Sequence, residues 1–296
     1  MAQPQHNASL ESLRARIDQL DNDMHDLVMK RAGLIRDIAE AKRKAGEQIV
    51  QPAREAKMLR RLLERHDNSL PGGAIVRIWR ELVGAVAMQQ TGLSACVYTG
   101  ESPIAYWDMA RNYFGHSVPL KQASTPMSAL AMLRDDQVSF AVMPWPEQEL
   151  SPPWWYFLYN NEQARMQVIQ HLPFPDSSGD ERRDRQRGLI VARLEFGDSG
   201  DDRSLVVLDL SDTVSRTRIM DKLGELGWTL YNIHSCANPD MQGRSLHLLE
   251  LAGYVAPGTG LGDMVALFED AGAKSVSIGG YPVITEDGPV QNPVSE

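Results

Sequence analysis

The sequence predicts a multi-domain chain: an all-α, intertwined three-helix N-terminal domain, then an α/β segment, then a ferredoxin-like βαββαβ domain. Three observations predict it. A long apolar seam at coiled-coil spacing opens the chain. Strand-like and helix-like stretches alternate after residue 93. The last third repeats strand, helix, strand, strand, helix, strand over roughly eighty residues, which is the ferredoxin-like order. The divisions fall at residues 1–92, 93–200 and 201–296.

From Ser9 to about Ala45 there is no proline and a single glycine, Gly33. Ser9 suits the N-cap, and Glu11 suits the positive end of the helix dipole. The seam runs Leu13, Ile17, Leu20, Met24, Leu27, Arg31, Leu34, Ile38, Ala41, in steps of four and three. At 1.5 Å per residue this helix is roughly 55 Å long, longer than a small domain is wide, so it calls for a partner chain. A second helix is expected from Ala53 to Asp67, with Met58, Leu59, Leu62 and Leu63 inward. NSLPGG breaks it. A third runs from Ala74 to Thr91, with Ile75, Ile78, Trp79, Leu82, Val83 and Val86 as its apolar face.

In the middle segment, ACVYTG and VSFAVMPW read as strands, and ESPIAYWDMARNYFG and PMSALAMLRDDQ as helices. WWYFLYNN fits neither pattern, and residues 173–188 have a linker's composition. In the last region SLVVLDL, TLYNIHSCAN, SLHLLELAGYV and KSVSIGGYPV read as strands. TVSRTRIMDKLGELG and LGDMVALFEDAGA read as helices between them.

The bulk numbers narrow the function classes. With 296 residues and 43% hydrophobic content the chain can build real cores. A net charge of −9 argues against a general nucleic-acid or anionic-membrane binder. Two cysteines, Cys96 and Cys236, form neither a disulfide framework nor a metal cluster. A polar N-terminus and the lack of a long apolar run make a cytoplasmic protein the expectation.

Two cations lie along the seam of the first helix. Arg31 and Lys42 are eleven residues apart, which puts them within roughly 20° of one face and about 16 Å apart. Arg14 points about 100° away from Arg31, so it reaches a shared ligand more easily from a second copy. Arg54 and Glu55 open the second helix; Gln89 and Gln90 close the third. A buried cation needs compensation. Asp18, Asp37 or Glu40 can supply it, and so can an anionic ligand. No Ser–His–Asp, Cys–His or metal constellation accompanies these residues. The chemistry that fits needs only orientation and electrostatic stabilisation.

The ordered set LESLRARIDQLDNDMHDLVMKR, AGLIRDIAEAK, RE at 54–55 and IWRELVGAVAMQQ resembles the all-helical class of chorismate mutase over residues 9 to about 91. The resemblance implies a homodimer that rearranges chorismate to prephenate without a cofactor or a metal. It implies that Arg31 and Arg54 of one protomer and Arg14 of the other bind the two substrate carboxylates. Lys42 and Gln90 would donate to the ether oxygen, and Glu55 would hold the ring hydroxyl. Two supporting positions depart from the family. Gln51 replaces an Asp three residues before Arg54, and Val86 replaces a small polar residue four before Gln90. Both predict a reduced or retuned rate.

Residues 94–193 resemble the first part of a prephenate dehydratase. GESPIA stands for its Gly-Ser-hydroxyl turn, PWPEQ for its Pro-Ile-Glu-Asn motif, and RQRGLIVAR where its Thr-Arg-Phe motif belongs. The expectation is that dehydratase activity is lost. Residues 204–283 resemble an ACT domain, which implies an aromatic amino-acid effector. VSRTR and HSCANP replace its usual effector turns, and His234 reads as a strand residue. The alternatives are a bifunctional mutase/dehydratase and a catalytically inactive regulator.

Overall fold

The structure, a computed structural model, describes residues 9–284 except 47, 68, 101, 147–151, 161–165, 175–185, 258, 260, 269 and 271. By contact the chain divides into two compact units, Met1–Ile49 and Val50–Glu296.

The first unit is the helix α1, Leu10–Ala45. The Ser9 side chain accepts from the Ser12 backbone N–H as expected of the cap, and Gly46 ends the helix at φ 72°. The seam residues Leu13, Ile17, Leu20, Met24, Leu27, Leu34 and Ile38 are all exposed in the single chain.

The second unit begins with α2 (Pro52–Glu64) and α3 (Gly72–Thr91). There follow β1 (Ala95–Tyr98), α4 (Pro103–Phe114), β2 (Leu120–Ala123), α5 (Pro126–Arg134) and β3 (Phe140–Pro144). Next come α6 (Tyr156–Tyr159), β4 (Gln167–Leu172) and β5 (Gly188–Ala192). The closing series is β6 (Asp202–Ser211), α7 (Arg216–Glu225), β7 (Leu230–Ala237), β8 (Arg244–Ala252), α8 (Gly262–Ala266) and β9 (Lys274–Pro282). The βαββαβ order is therefore present, and β9-β6-β8-β7 are neighbours in the antiparallel fourth-first-third-second arrangement. Of the expected linker at 173–188, residues 175–185 lie outside those described.

The nine strands among the described residues belong to one sheet, ordered β2-β1-β3-β5-β4-β9-β6-β8-β7. The two halves meet where β4 runs parallel to β9, with Val168 opposite Gly279. Gly279 has φ 111°, and a Cβ there would stand 2.2 Å from the Val168 carbonyl oxygen. A Cβ on Gly280 would stand 2.1 Å from the Arg203 carbonyl oxygen. The glycine pair in SIGGYPV thus lets two strand backbones approach on either side of β9.

Contact grouping departs from a division at residues 92 and 200, for two reasons. Ala56, Leu59 and Leu63 of α2 and Val76 of α3 share one apolar cluster with β1, α4, β3, β4 and β5. Arg60 ties α2 to the segments that flank β6 and β9, donating from Nε to Val283 O (3.0 Å) and from Nη1 to Ser199 O (2.7 Å). The aromatic stretch that fitted no pattern also has a place. Trp154 and Trp155 are buried in the cluster that contains Leu205, Val207, Leu246, Leu248 and Ile278 of the βαββαβ half. Trp154 Nε1 donates to Pro144 O at 3.1 Å, so the indole's one polar group is satisfied.

The expected inner face of α3 is rotated. Gly73, Val76, Arg80 and Gly84 are the buried positions, while Ile78 is exposed. Gly84 explains the rotation: a Cβ there would stand 2.0 Å from the Phe114 carbonyl oxygen at the end of α4. The closest backbone approach, not the largest apolar side chain, sets which face turns inward.

Candidate active site

Arg14, Arg31 and Lys42 belong to the first unit. Arg14 is exposed; Arg31 and Lys42 are half-buried on one side of α1. Lys42 Nζ donates to Ile49 O at 3.1 Å, which draws the end of the helix and the following turn together. Of the carboxylates considered as compensating charges, Glu40 pairs with Lys44 at 2.9 Å.

Gln51, Arg54, Glu55, Val86 and Gln90 belong to the second unit. Gln51 is the N-cap of α2 without a side-chain cap bond, and Pro52 starts the helix. The Gln51 carbonyl accepts from Glu55 N at 3.1 Å, so the first turn holds Gln51, Arg54 and Glu55 in one short arc. Arg54 is exposed. Val86 and Gln90 are half-buried and four residues apart, hence on one face of α3.

Glu55 is half-buried, with 17% of its side chain exposed. Its Oε2 is ion-paired with Nη1 of Arg80, whose side chain is 6% exposed. Arg80 Nε donates to Tyr113 O at 2.8 Å, and the guanidinium lies 3.9 Å from the Tyr113 ring centroid. Burial works against the Arg80 charge, but Tyr113 and Glu55 outweigh it and hold its pKa above the ordinary value. Burial also pushes the Tyr113 hydroxyl up to about 12. Arg80 was absent from the sequence-derived set. Its signal was a cation on the Val76–Arg80–Gly84 stripe, hidden because the bulkier apolar residues beside it suggested another face.

A cavity of about 340 Å³ opens among Thr99, Pro103, Ile104, Trp107, Asp108 and Gln122, at the carboxyl ends of the parallel strands β1 and β2. None of the sequence-derived site residues lines it. Among the described residues no cluster of three or more His, Cys, Asp or Glu is arranged to hold a metal.

Comparison with known proteins bears on the helices directly. Residues 13–91 match the chorismate mutase type II family. The match runs through α1, α2 and α3 and includes Arg14, Arg31, Lys42, Arg54, Glu55 and Gln90. A bifunctional chorismate mutase/prephenate dehydratase of Stutzerimonas stutzeri is 31% identical over 138 residues, or 45% of this chain and 36% of that protein. The chain thus spans little more than a third of that relative's length. A solved prephenate dehydratase from Streptococcus mutans is 15% identical, at TM-score 0.45, over 64% of this chain and 98% of its own. A quorum-quenching acylase, GqqA, is 13% identical, at TM-score 0.46, over 66% of this chain and 96% of its own. At those scores the structural likeness carries no argument about activity.

Proposed function

We propose that this chain is a chorismate mutase that rearranges chorismate to prephenate in phenylalanine and tyrosine biosynthesis. The observation that carries the reading is the chorismate mutase type II match over residues 13–91, a range that contains Arg14, Arg31, Lys42, Arg54, Glu55 and Gln90. The rearrangement is pericyclic and needs no nucleophile. The protein's part is to hold a near-attack conformer and to stabilise charge growing on the ether oxygen. Arg31 and Arg54 hold the two carboxylates with guanidinium forks, which match carboxylate geometry. Arg14 joins them from a second copy. Lys42 and Gln90 donate to the ether oxygen, and Glu55 accepts from the ring hydroxyl. Gln51 and Val86 flank these groups and tune the rate.

The homodimer is part of the same reading. The exposed seam of α1 supports it, because a run of large apolar residues along one helix is not normally left in water. The βαββαβ half supports an aromatic amino-acid effector. The substitutions GESPIA, PWPEQ and RQRGLIVAR support loss of dehydratase activity. A second reading, retention of both activities, is favoured by the double activity that the S. stutzeri relative's name carries. Among the described residues no helix is long and apolar enough to cross a membrane, and we place the protein in the cytoplasm.

Loss of chorismate absorbance by purified protein, with products identified before and after acid treatment, tests these readings together. Prephenate at an enzymatic rate is the expected result. Phenylpyruvate before acid would favour the bifunctional reading. A folded dimer without turnover would leave the inactive regulator.

A further inference from the structure

We propose that Arg80 is a positioning residue for the mutase reaction, aiming the Glu55 carboxylate from a mount on the end of α4. The inference rests on the mutase reading above.

The geometry of Arg80 carries it. A guanidinium is a rigid plane with five donors in fixed directions. Here two independent contacts fix that plane: the bond from Nε to Tyr113 O at 2.8 Å and the stacking 3.9 Å from the Tyr113 ring centroid. Phe174 packs edge-on against the same Tyr113 ring, with centroids 5.5 Å apart. With the plane held, Nη1 points in one direction, and Glu55 Oε2 lies there. The carboxylate is therefore oriented by α4 and α3, elements outside its own helix. An ionised carboxylate has about four acceptor sites, so one bond to Arg80 leaves it able to accept from a substrate hydroxyl.

Stability alone does not account for the pair. A buried ion pair is weak evidence of stabilisation, because well-packed apolar residues of similar volume often serve as well. The Val76–Arg80–Gly84 stripe packs against apolar neighbours, where an aliphatic residue would be the simpler choice. Glu55, by contrast, sits one residue after Arg54 in the first turn of α2, where direction matters. A misplacement of about 1 Å at a reacting centre costs roughly 100-fold in rate.

A double-mutant cycle on the full chain tests this. Chorismate kcat and KM are measured for the native protein, Arg80→Met, Glu55→Gln and the double variant, with Arg80→Lys run in both backgrounds. Unfolding curves are recorded for each. Arg80→Met is expected to lower kcat/KM about tenfold or more in the native background and less than about twofold when Glu55 is already Gln. Most of the loss should lie in kcat, and Arg80→Lys should recover part of it. Equal losses in the two backgrounds, or losses that simply follow the melting temperature, would overturn the proposal and leave the mutase reading intact. If Arg80→Met does not fold, Arg80→Lys carries the same cycle. A folded native protein that does not turn over chorismate overturns both.

Discussion

The first helix and the two that follow belong to one family match but to different kinds of structure. In the single chain the apolar seam residues of α1 from Leu13 to Ile38 are exposed, and Ala39 is buried. α2 and α3 are the reverse: Ala56, Leu59, Leu63 and Val76 are core residues of the α/β unit, and Arg60 and Arg80 fasten both helices to it. The difference teaches that a stretch matched as one family segment need not be one packing unit. α2 and α3 take part in the core of the α/β unit, while the seam of α1 is apolar surface on a unit of its own.

The largest effect that would break or sharpen this contrast lies at the cations. Arg31→Ala and Lys42→Ala should each lower chorismate turnover by about 100- to 1,000-fold, the usual cost of removing an electrostatic contact to a transition state. Both should leave the unfolding midpoint of the α/β unit unchanged. Full activity in both variants would remove these residues from the site.

Next comes a matched pair of leucines. Leu59 of α2 is 1% exposed, and Leu59→Ala should cost about 2–5 kcal/mol in denaturant unfolding at any protein concentration. Leu20 of α1 is 56% exposed in the single chain. Leu20→Ala should cost less than about 0.5 kcal/mol in dilute, dissociated protein. Its cost should grow with concentration if a second copy covers the seam. A concentration-independent Leu20 effect would count against the dimer.

A last test is one of pH, and it reads two buried histidines of the sheet. Burial, helped by Arg187, lowers His171 to about 3; burial, helped by Arg216, lowers His247 to about 4. Both rings are neutral in the folded protein and gain a proton on unfolding once pH falls below the ordinary histidine value of about 6.5. Their contribution is whole above that value and is lost as pH drops toward 4, at roughly 1.4 kcal/mol per pH unit for each ring. Guanidinium unfolding at pH 7 and at pH 5 checks this. Equal stability at the two values would contradict the buried, uncharged assignment.

Much of the fold was legible because local signals and tertiary packing agree. Ser9 and Gly46 bound α1, the 4–3 seam marks its apolar face, and the apolar runs in SLVVLDL and SLHLLELAGYV yield β6 and β8. Three strands were not legible. LKQA is short and polar, while QVIQHL and GLIVA flank the linker-like stretch and owe their pairing to distant partners. Of the helix expected over LGDMVALFEDAGA, the described residues form Gly262–Ala266. The candidate residue Arg31 on α1 stood out as a cation interrupting an apolar seam. Arg80 did not, because its importance depends on Tyr113, thirty-three residues away and invisible to spacing. The joining of the two half-sheets was equally hidden, since it rests on backbone approach at Gly279 and not on a side-chain pattern.

That junction bears on how such a chain can be inherited. A regulatory module on a tether can be dropped or exchanged by one cut in the gene. Here a cut near residue 200 would strip β4 of its β9 neighbour and leave β9 with an open margin of its own, while Trp154 and Trp155 would lose the surface they rest on. Unprotected strand margins and bare indoles invite self-association. The last third of the chain is therefore retained or lost together with the middle.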